Sequence, residues 1–285
     1  MNSITVMSFP MCKNRVRLLF LLLSLMAVSA VEAQDAAANG RYSKTRSYQI
    51  GAGAAHVLDT YLTQEKFKGT GFSLLSIEER QQTGTRWSSV VEHQLHFSNT
   101  ADRAGNDAMI EATYNCLFGR FYAWSLLGGS LSLQAGGMAN LGLGAFYNTR
   151  NNANNPAQGR LSLNIMPSAI ATYHFPFLKR RWAVRYELQL PLVGVMFSPN
   201  YGQSYYEMFS RGNYDHNIVP TTFVAAPCMR QQVRLECSVW RSMTLSLGYL
   251  GDYQQAKVNN LKQHLFCHNI MVGFVQRFQI IRQRP

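Results

Sequence analysis

The most regular stretch of the chain is Arg181 to Leu190, RWAVRYELQL. Trp182, Val184, Tyr186, Leu188 and Leu190 alternate with Ala183, Arg185, Glu187 and Gln189. A period of two sends successive side chains to opposite faces of a strand. One face is then wholly apolar and aromatic, and the other carries a charge pair and an amide. In a soluble sandwich the polar face would meet water. In a transmembrane barrel the apolar face meets lipid and the polar face fills the lumen.

The alternation recurs. Trp87, Val91, Leu95 and Phe97 oppose Ser88, Glu92, Gln94 and His96, and Ile110, Ala112, Tyr114, Cys116 and Phe118 oppose Glu111, Thr113 and Asn115. Val233, Leu235, Cys237 and Val239 oppose Arg234, Glu236 and Ser238. The segments count to ten, at about 46–58, 67–79, 85–98, 107–118, 128–147, 160–175, 181–197, 219–239, 243–254 and 263–281. Short links (Thr83-Gly84, Lys179-Arg180, Arg241-Ser242) alternate with longer polar ones (59–66, 99–106, 148–159, 198–217, 252–262). Short turns at one end and long loops at the other are the layout of an outer-membrane barrel. The link from Gly119 to Leu127 is too long and aromatic for a short turn, and two further strands there would make twelve. Phe121 to Thr149 carries no charge, but its six glycines favour a long barrel strand over a membrane helix. Strands of about 20 residues at roughly 3.3 Å each reach some 66 Å, so the wall should project above the membrane. The expected fold is therefore all-β, an antiparallel up-and-down transmembrane β-barrel of about ten strands.

The first residues stand outside this pattern. Lys13, Arg15 and Arg17 precede an apolar run, Leu18 to Val28, and Val31-Glu32-Ala33 puts small residues at the −3 and −1 positions of a cleavage site. This reads as a secretory signal peptide over 1–33, leaving a barrel domain over 34–285. Its removal takes three basic and one acidic residue from totals of 27 and 15, leaving 24 against 14 and a net charge of +10. A basic surface suits anionic partners such as lipopolysaccharide phosphates or acidic glycans. Export and the lack of a Lys/Arg-rich run argue against nucleic acid. Cys116, Cys228, Cys237 and Cys267 follow no zinc or redox spacing.

Val57-Leu58-Asp59-Thr60-Tyr61-Leu62-Thr63, then Phe67 with Gly69, then Glu79-Arg80, resembles the signature of a Bacteroidetes-type family of outer-membrane β-barrels of unknown function with an LDTYLS-like motif. Thr63 stands where that family often has serine, and Gln64 where it has proline. The resemblance implies a signal-bearing barrel with no established activity. The expected partners of such a barrel are outer-membrane lipid, lipopolysaccharide and the barrel-assembly machinery.

Candidate chemistry falls into three groups. Glu92, Glu111, Glu187 and Glu236 point inward with His96, Arg185, Arg234 and Arg277; buried charges must be paired, so these read as a lumen-lining network that fills a narrow barrel. The link SPNYGQSYYEMFSRGNYDHN offers Tyr201, Tyr205, Tyr206, Phe209, Tyr214, Asp215 and His216 as an extracellular surface for sugar rings, or as a loop packed on itself over the barrel mouth. Leu58, Asp59, Thr60, Tyr61, Leu62 and Gly69 make a first-hairpin motif, in which Asp59 can form an Asx turn or, with Tyr61 and Lys66, bind a ligand. His96 shares an inward face with Glu92, as in barrel hydrolases, but no G-x-S-x-G nucleophile motif occurs. His264 and His268 lie about 13 Å apart on one strand face, too far for one metal. No catalytic residue, metal or cofactor is assigned. The expected function is a non-enzymatic envelope barrel with a narrow or plugged lumen, serving as a small porin-like pore or a glycan/lipopolysaccharide binder. The alternatives are a barrel hydrolase or protease and a secreted soluble β-sandwich.

Overall fold

The computed structural model describes residues 42–82, 84–150, 156–240 and 243–280. The signal segment 1–33, Thr83 and the Arg241-Ser242 turn lie outside the described residues. The elements are β1 (Tyr42–Asp59), β2 (Phe67–Gln82), β3 (Trp87–Ala101), β4 (Ala108–Leu126), β5 (Leu131–Asn148), β6 (Ala157–Phe177), β7 (Arg180–Gln189), β8 (Val193–Phe197), a short helix α1 (Tyr205–Phe209), β9 (Ile218–Thr222), β10 (Met229–Ser238), β11 (Met243–Val258) and β12 (Leu261–Ile280).

Each strand pairs antiparallel with its neighbours, and the first pairs with the last, from Tyr42↔Ile280 to Asp59↔Gln263. That pairing closes the sheet and overturns the soluble-sandwich alternative, because a sandwich keeps its two sheets open. Two ring positions are each built from two strand pieces. β7 and β8 are one strand interrupted at Leu190–Leu192; Leu190 N–H and Leu192 N–H still donate to Pro167 and Ile165 of β6, at 3.1 Å each. The interruption centres on Pro191, which has no N–H to give the ladder. β9 and β10 likewise form one position, β9 paired with β8 and β10 with β7. The result is a closed antiparallel barrel of ten strands. No helix among the described residues is long and apolar enough to cross a membrane. The fold is that of the outer-membrane barrels.

The twelve-strand option is corrected. Gly119 to Leu126 continues β4, in register from Gly119↔Met138 to Leu126↔Leu131, and the chain turns at Leu127–Ser130. The uncharged run 121–149 is thus the end of β4, a turn and β5, not one strand. Its aromatics belong to the wall: Trp87 and Tyr122 meet edge to face at 5.3 Å, and Tyr122 and Trp124 at 5.0 Å. The long link expected at 252–262 is also corrected. β11 runs to Val258, and Asn259 and Asn260, with φ of 49° and 59°, make a two-residue turn into β12. Both central residues at positive φ match the twist of a tight hairpin, and asparagine tolerates that conformation well. Leu178 and Lys179 turn the same way at the opposite end, with φ of 49° and 58°.

The two faces of the wall divide as the alternation requires. Ile50, Phe72, Leu95, Phe118, Leu163, Ile165, Leu247 and Ile270 all stand exposed on the outside. In water this continuous apolar band would far exceed the patches of soluble monomers; in a bilayer it is the lipid-facing belt. Inside, the lumen has apolar layers of its own. Leu75, Ile77, Leu117, Phe121, Met138, Met166, Ile170 and Leu250 are among one buried cluster, and Val57, Leu62, Phe67, Met109, Phe146 and Leu265 among another nearer the loop end.

Candidate functional site

The lumen network rests on strands that face each other across the ring. β3 and β10 lie five strands apart in either direction. Yet Arg230 on β10 donates through Nη2 to Glu92 Oε1 on β3, and Gln189 on β7 adds a bond of 3.1 Å to the same carboxylate. β2 and β7 are also five apart, and Arg185 Nη1 reaches Glu79 Oε2 at 3.1 Å. The ladder continues toward the chain termini: Arg185 pairs with Glu187 at 2.5 Å, Arg234 with Glu236 at 2.9 Å, and Arg277 with Glu236 at 2.6 Å. Arg234 also donates to Ser47 at 3.2 Å and Gln232 to Gln49 at 2.8 Å. Interior cavities of about 70 Å³ and 140 Å³ lie beside these groups. Each guanidinium is paired with at least one carboxylate, on its own strand (Arg185–Glu187, Arg234–Glu236) or across the lumen (Arg185–Glu79, Arg230–Glu92), as burial of a charge demands.

Glu111 sits apart from that ladder. It is fully buried and accepts from Ser98 Oγ at 2.8 Å and from Thr113 Oγ1 at 2.5 Å, with His96 Nδ1 at 2.8 Å. His96 therefore pairs with Glu111 rather than Glu92, its expected partner on the same strand face. The cross-strand register Phe97↔Ala112 brings Glu111 beside it, a neighbour that in-strand spacing does not reveal. His96 Nε2 points at Gly71, where an added Cβ would lie 2.6 Å away. The imidazole is held at Nδ1 by the Glu111 carboxylate, while Nε2 is buried over the lumen side of Gly71 without a hydrogen-bond partner.

The outer mouth is covered. Ser198 and Asn217 clamp the base of the long loop, with Ser198 N–H donating to Asn217 O at 2.8 Å. Within it Ser204 caps α1: Glu207 N–H donates to Ser204 Oγ at 3.2 Å, and Ser204 N–H to Glu207 Oε2 at 2.9 Å. Phe197, Tyr205 and Phe209 stack beneath, the last two with centroids 5.9 Å apart. Tyr201, Tyr206 and Tyr214 stay exposed, with Arg211 over the Tyr206 ring at 5.4 Å. Asp215 and His216 pair at 2.5 Å in solvent.

The first-hairpin motif holds this lid down. Asp59 Oδ1 accepts from Tyr61 N–H at 3.0 Å, an Asx turn, and Thr60 Oγ1 accepts from Lys262 N–H at 2.8 Å. Tyr61 then donates its hydroxyl to Gln203 O in the lid at 2.8 Å and meets the Tyr205 ring edge to face. Tyr205 Oη in turn accepts from Gly159 N–H at 2.7 Å. Leu58 and Leu62 are buried at the mouth. A Cβ at Gly69 would lie 2.2 Å from Asn99 O, so β2 needs glycine there to approach β3. Asp59 is buried beyond the membrane belt, and burial pushes its carboxyl up to about 7, opposed by the Tyr61 N–H and by Arg160. Turned to donate, the Gln158 amide lies 2.7 and 2.8 Å from the two Asp59 oxygens.

Over residues 17–285 the sequence matches the family model described as a protein of unknown function, DUF3316. The chain belongs to the DUF3316 family. No curated protein matches it. Among solved structures this DUF3316 chain is similar to the neisserial surface protein NspA (10% identity, 84% of this chain and 98% of that one, TM-score 0.36). It is also similar to Ail, the attachment invasion locus protein of Yersinia pestis, solved with the heparin analogue sucrose octasulfate (10%, 84% and 100%, TM-score 0.36). A third is the outer membrane protease OmpT of Escherichia coli (8%, 84% and 97%, TM-score 0.44).

Several members of the DUF3316 lumen network escape the sequence pattern. Glu79, Arg230, Gln134 and Asp252 complete it, and none of them falls within the stretches where strict alternation is read, unlike Gln189, which the polar face of β7 already offers. Glu79 follows FSLLSIE, where Leu74 faces out and Leu75 faces in, so both faces of β2 are apolar and the parity is hidden. All four cysteines among the described residues are free. Among those residues no group of three His, Cys, Asp or Glu side chains could hold a metal.

Proposed function

We propose that this protein is a non-enzymatic outer-membrane barrel that is exported by a cleaved signal peptide, has a filled lumen and works through its extracellular lid. The observation that carries this reading is the pair of ion pairs, Glu92–Arg230 and Glu79–Arg185, each joining strands on opposite sides of the ring. Side chains that meet at the middle leave no wide aqueous path, which favours a surface function over a pore. The lid offers Tyr201, Tyr206 and Tyr214 as flat exposed rings, with Arg211 as an adjacent cation. Aromatic faces beside a cation suit the rings and acidic groups of an extracellular glycan or lipopolysaccharide. His96 supports the non-enzymatic side, since its free nitrogen is buried over Gly71.

Two measurements test this. In planar bilayers the purified barrel is expected to be silent, and a steady single-channel conductance would refute the filled lumen. On a glycan array, Tyr206→Ala with Tyr214→Ala is expected to abolish binding while the band still shifts between boiled and unboiled gels. Turnover of lipid or peptide that His96→Ala stops would replace the reading with the hydrolase one.

A further inference from the structure

The outer wall is not uniform. A groove of about 460 Å³ is sunk into the apolar belt across β12, β1, β2, β3 and β4. Ile50, Leu74, Leu95 and Val272 line its length, and its lining is almost wholly apolar. One side is the ring pair Tyr48–Phe274, with centroids 5.5 Å apart. The other is His93, bonded through Nδ1 to Tyr114 Oη at 2.8 Å. The depth comes from Ser76, a small residue standing in register between Tyr48 and His93.

Following the same outward rows toward the chain termini, the next pair after Tyr48↔Ser76 is Arg46↔Glu78, and the next is Lys44↔Arg80. These four side chains converge. Glu78 Oε1 takes Lys44 Nζ at 2.8 Å and Arg80 Nη2 at 2.6 Å, and Oε2 takes Arg46 Nε at 3.0 Å. Three cations thus share one carboxylate, an excess of two positive charges in this cluster among the described residues. They stand at the end of the wall that carries the Trp87–Tyr122–Trp124 aromatics, the level of lipid headgroups. The side chains of Arg46 and Arg80 remain 42% and 36% exposed, so each can turn a face to a second anion.

We propose that this groove and the adjoining cluster form a binding site for one anionic glycerophospholipid of the inner leaflet. The acyl chain lies in the groove between Tyr48–Phe274 and His93–Tyr114. The phosphate sits against the exposed faces of Arg46 and Arg80, with the buried Lys44 adding its charge from behind Glu78, and supplies the negative charge that Glu78 alone leaves short. An apolar trough opening onto a net-positive cluster at headgroup height is complementary to that molecule at both ends. A zwitterionic ethanolamine headgroup brings its own cation to the same place and is disfavoured. The proposal rests on the reading of the chain as a membrane barrel.

The test is native mass spectrometry of the detergent-purified protein with phosphatidylglycerol or phosphatidylethanolamine added. Wild type is expected to retain one phosphatidylglycerol with a preference of roughly tenfold. The double variant Arg46→Gln, Arg80→Gln is expected to lose the preference, and Ser76→Phe, which fills the groove, to lose retention of either lipid. Equal retention of both lipids by wild type, or unchanged retention by Ser76→Phe, overturns the site. The boiled and unboiled gel shift is measured on every variant. A wild type that shifts but shows no lipid preference refutes the lipid site alone, whereas a wild type with no shift refutes the membrane barrel beneath it. Loss of shift in Ser76→Phe alone is checked with Ser76→Leu, a smaller filling at the same place, which must reproduce the loss of retention.

Discussion

Replacing Glu92 by glutamine keeps the shape of a side chain that is 1% exposed and removes the charge that neutralises Arg230 across the lumen. Arg230 is itself buried, so it cannot turn to water. It keeps Gln189 Oε1 at 3.2 Å and has Asp252 as its cross-strand neighbour. One-sided removal of a buried ion pair costs about 3–5 kcal/mol, because the remaining charge is left uncompensated. With those two partners retained, the lower end applies, about 3 kcal/mol or roughly a hundredfold in the folding equilibrium. Arg230→Gln strands Glu92 with only Gln189 and should cost more. The double variant leaves no stranded charge and should recover most of the loss, coming within about 1 kcal/mol of wild type. Urea titration of the barrel in lipid vesicles, read as the fraction running at the unboiled position, measures all four. If each single variant costs less than about 1 kcal/mol and the two add, the pair does not join the walls of the barrel and the reasoning fails.

Asp59 gives a pH test. Its folded carboxyl, raised from 3.8 to about 7, holds a proton more tightly than the unfolded one. Stability from this group is therefore full below about pH 4 and is lost as pH rises to about 7. The urea midpoint should be higher at pH 5 than at pH 8, and Asp59→Asn should flatten that difference; an unchanged slope would remove Asp59 from the account. Tyr61→Phe deletes the 2.8 Å bond to Gln203, worth about 1 kcal/mol, and should speed tryptic cleavage at Arg211 in the lid by roughly fivefold. Equal cleavage rates would mean that the hairpin does not hold the lid. With Cys267 buried and the four thiols free, a maleimide should leave Cys267 unlabelled until the barrel is unfolded, and reduction should not move the band.

Much of the wall was legible because a strand reports its faces at short range. RWAVRYELQL names its lipid side and its lumen side with no knowledge of its neighbours, and β7 carries them as read. The strand count survived for the same reason, including the position broken at Pro191. The boundaries did not. Gly119–Leu126 resembled a loop because aromatics sat on both sides of the alternation, with Phe121 in the lumen core and Tyr122 and Trp124 in the girdle. Val258-Asn259-Asn260-Leu261 held a readable turn signal, but the polar residues before it, on strand that rises beyond the lipid belt, looked like loop.

The candidate sites divide along the same line. Which residues face the lumen follows from a period of two, a property of the backbone that every strand obeys independently. Which of them touch does not. Glu92 and Arg230 are 138 residues apart, and Glu79 and Arg185 meet only because ten strands close into a ring that sets them opposite. His96 chose Glu111 over Glu92 through cross-strand register, and Tyr61 found Gln203 because the long loop folds back over the mouth. By itself the sequence determined the face of each side chain. Closure and register decided its partner, since pairing across a barrel depends on distances that no local pattern encodes.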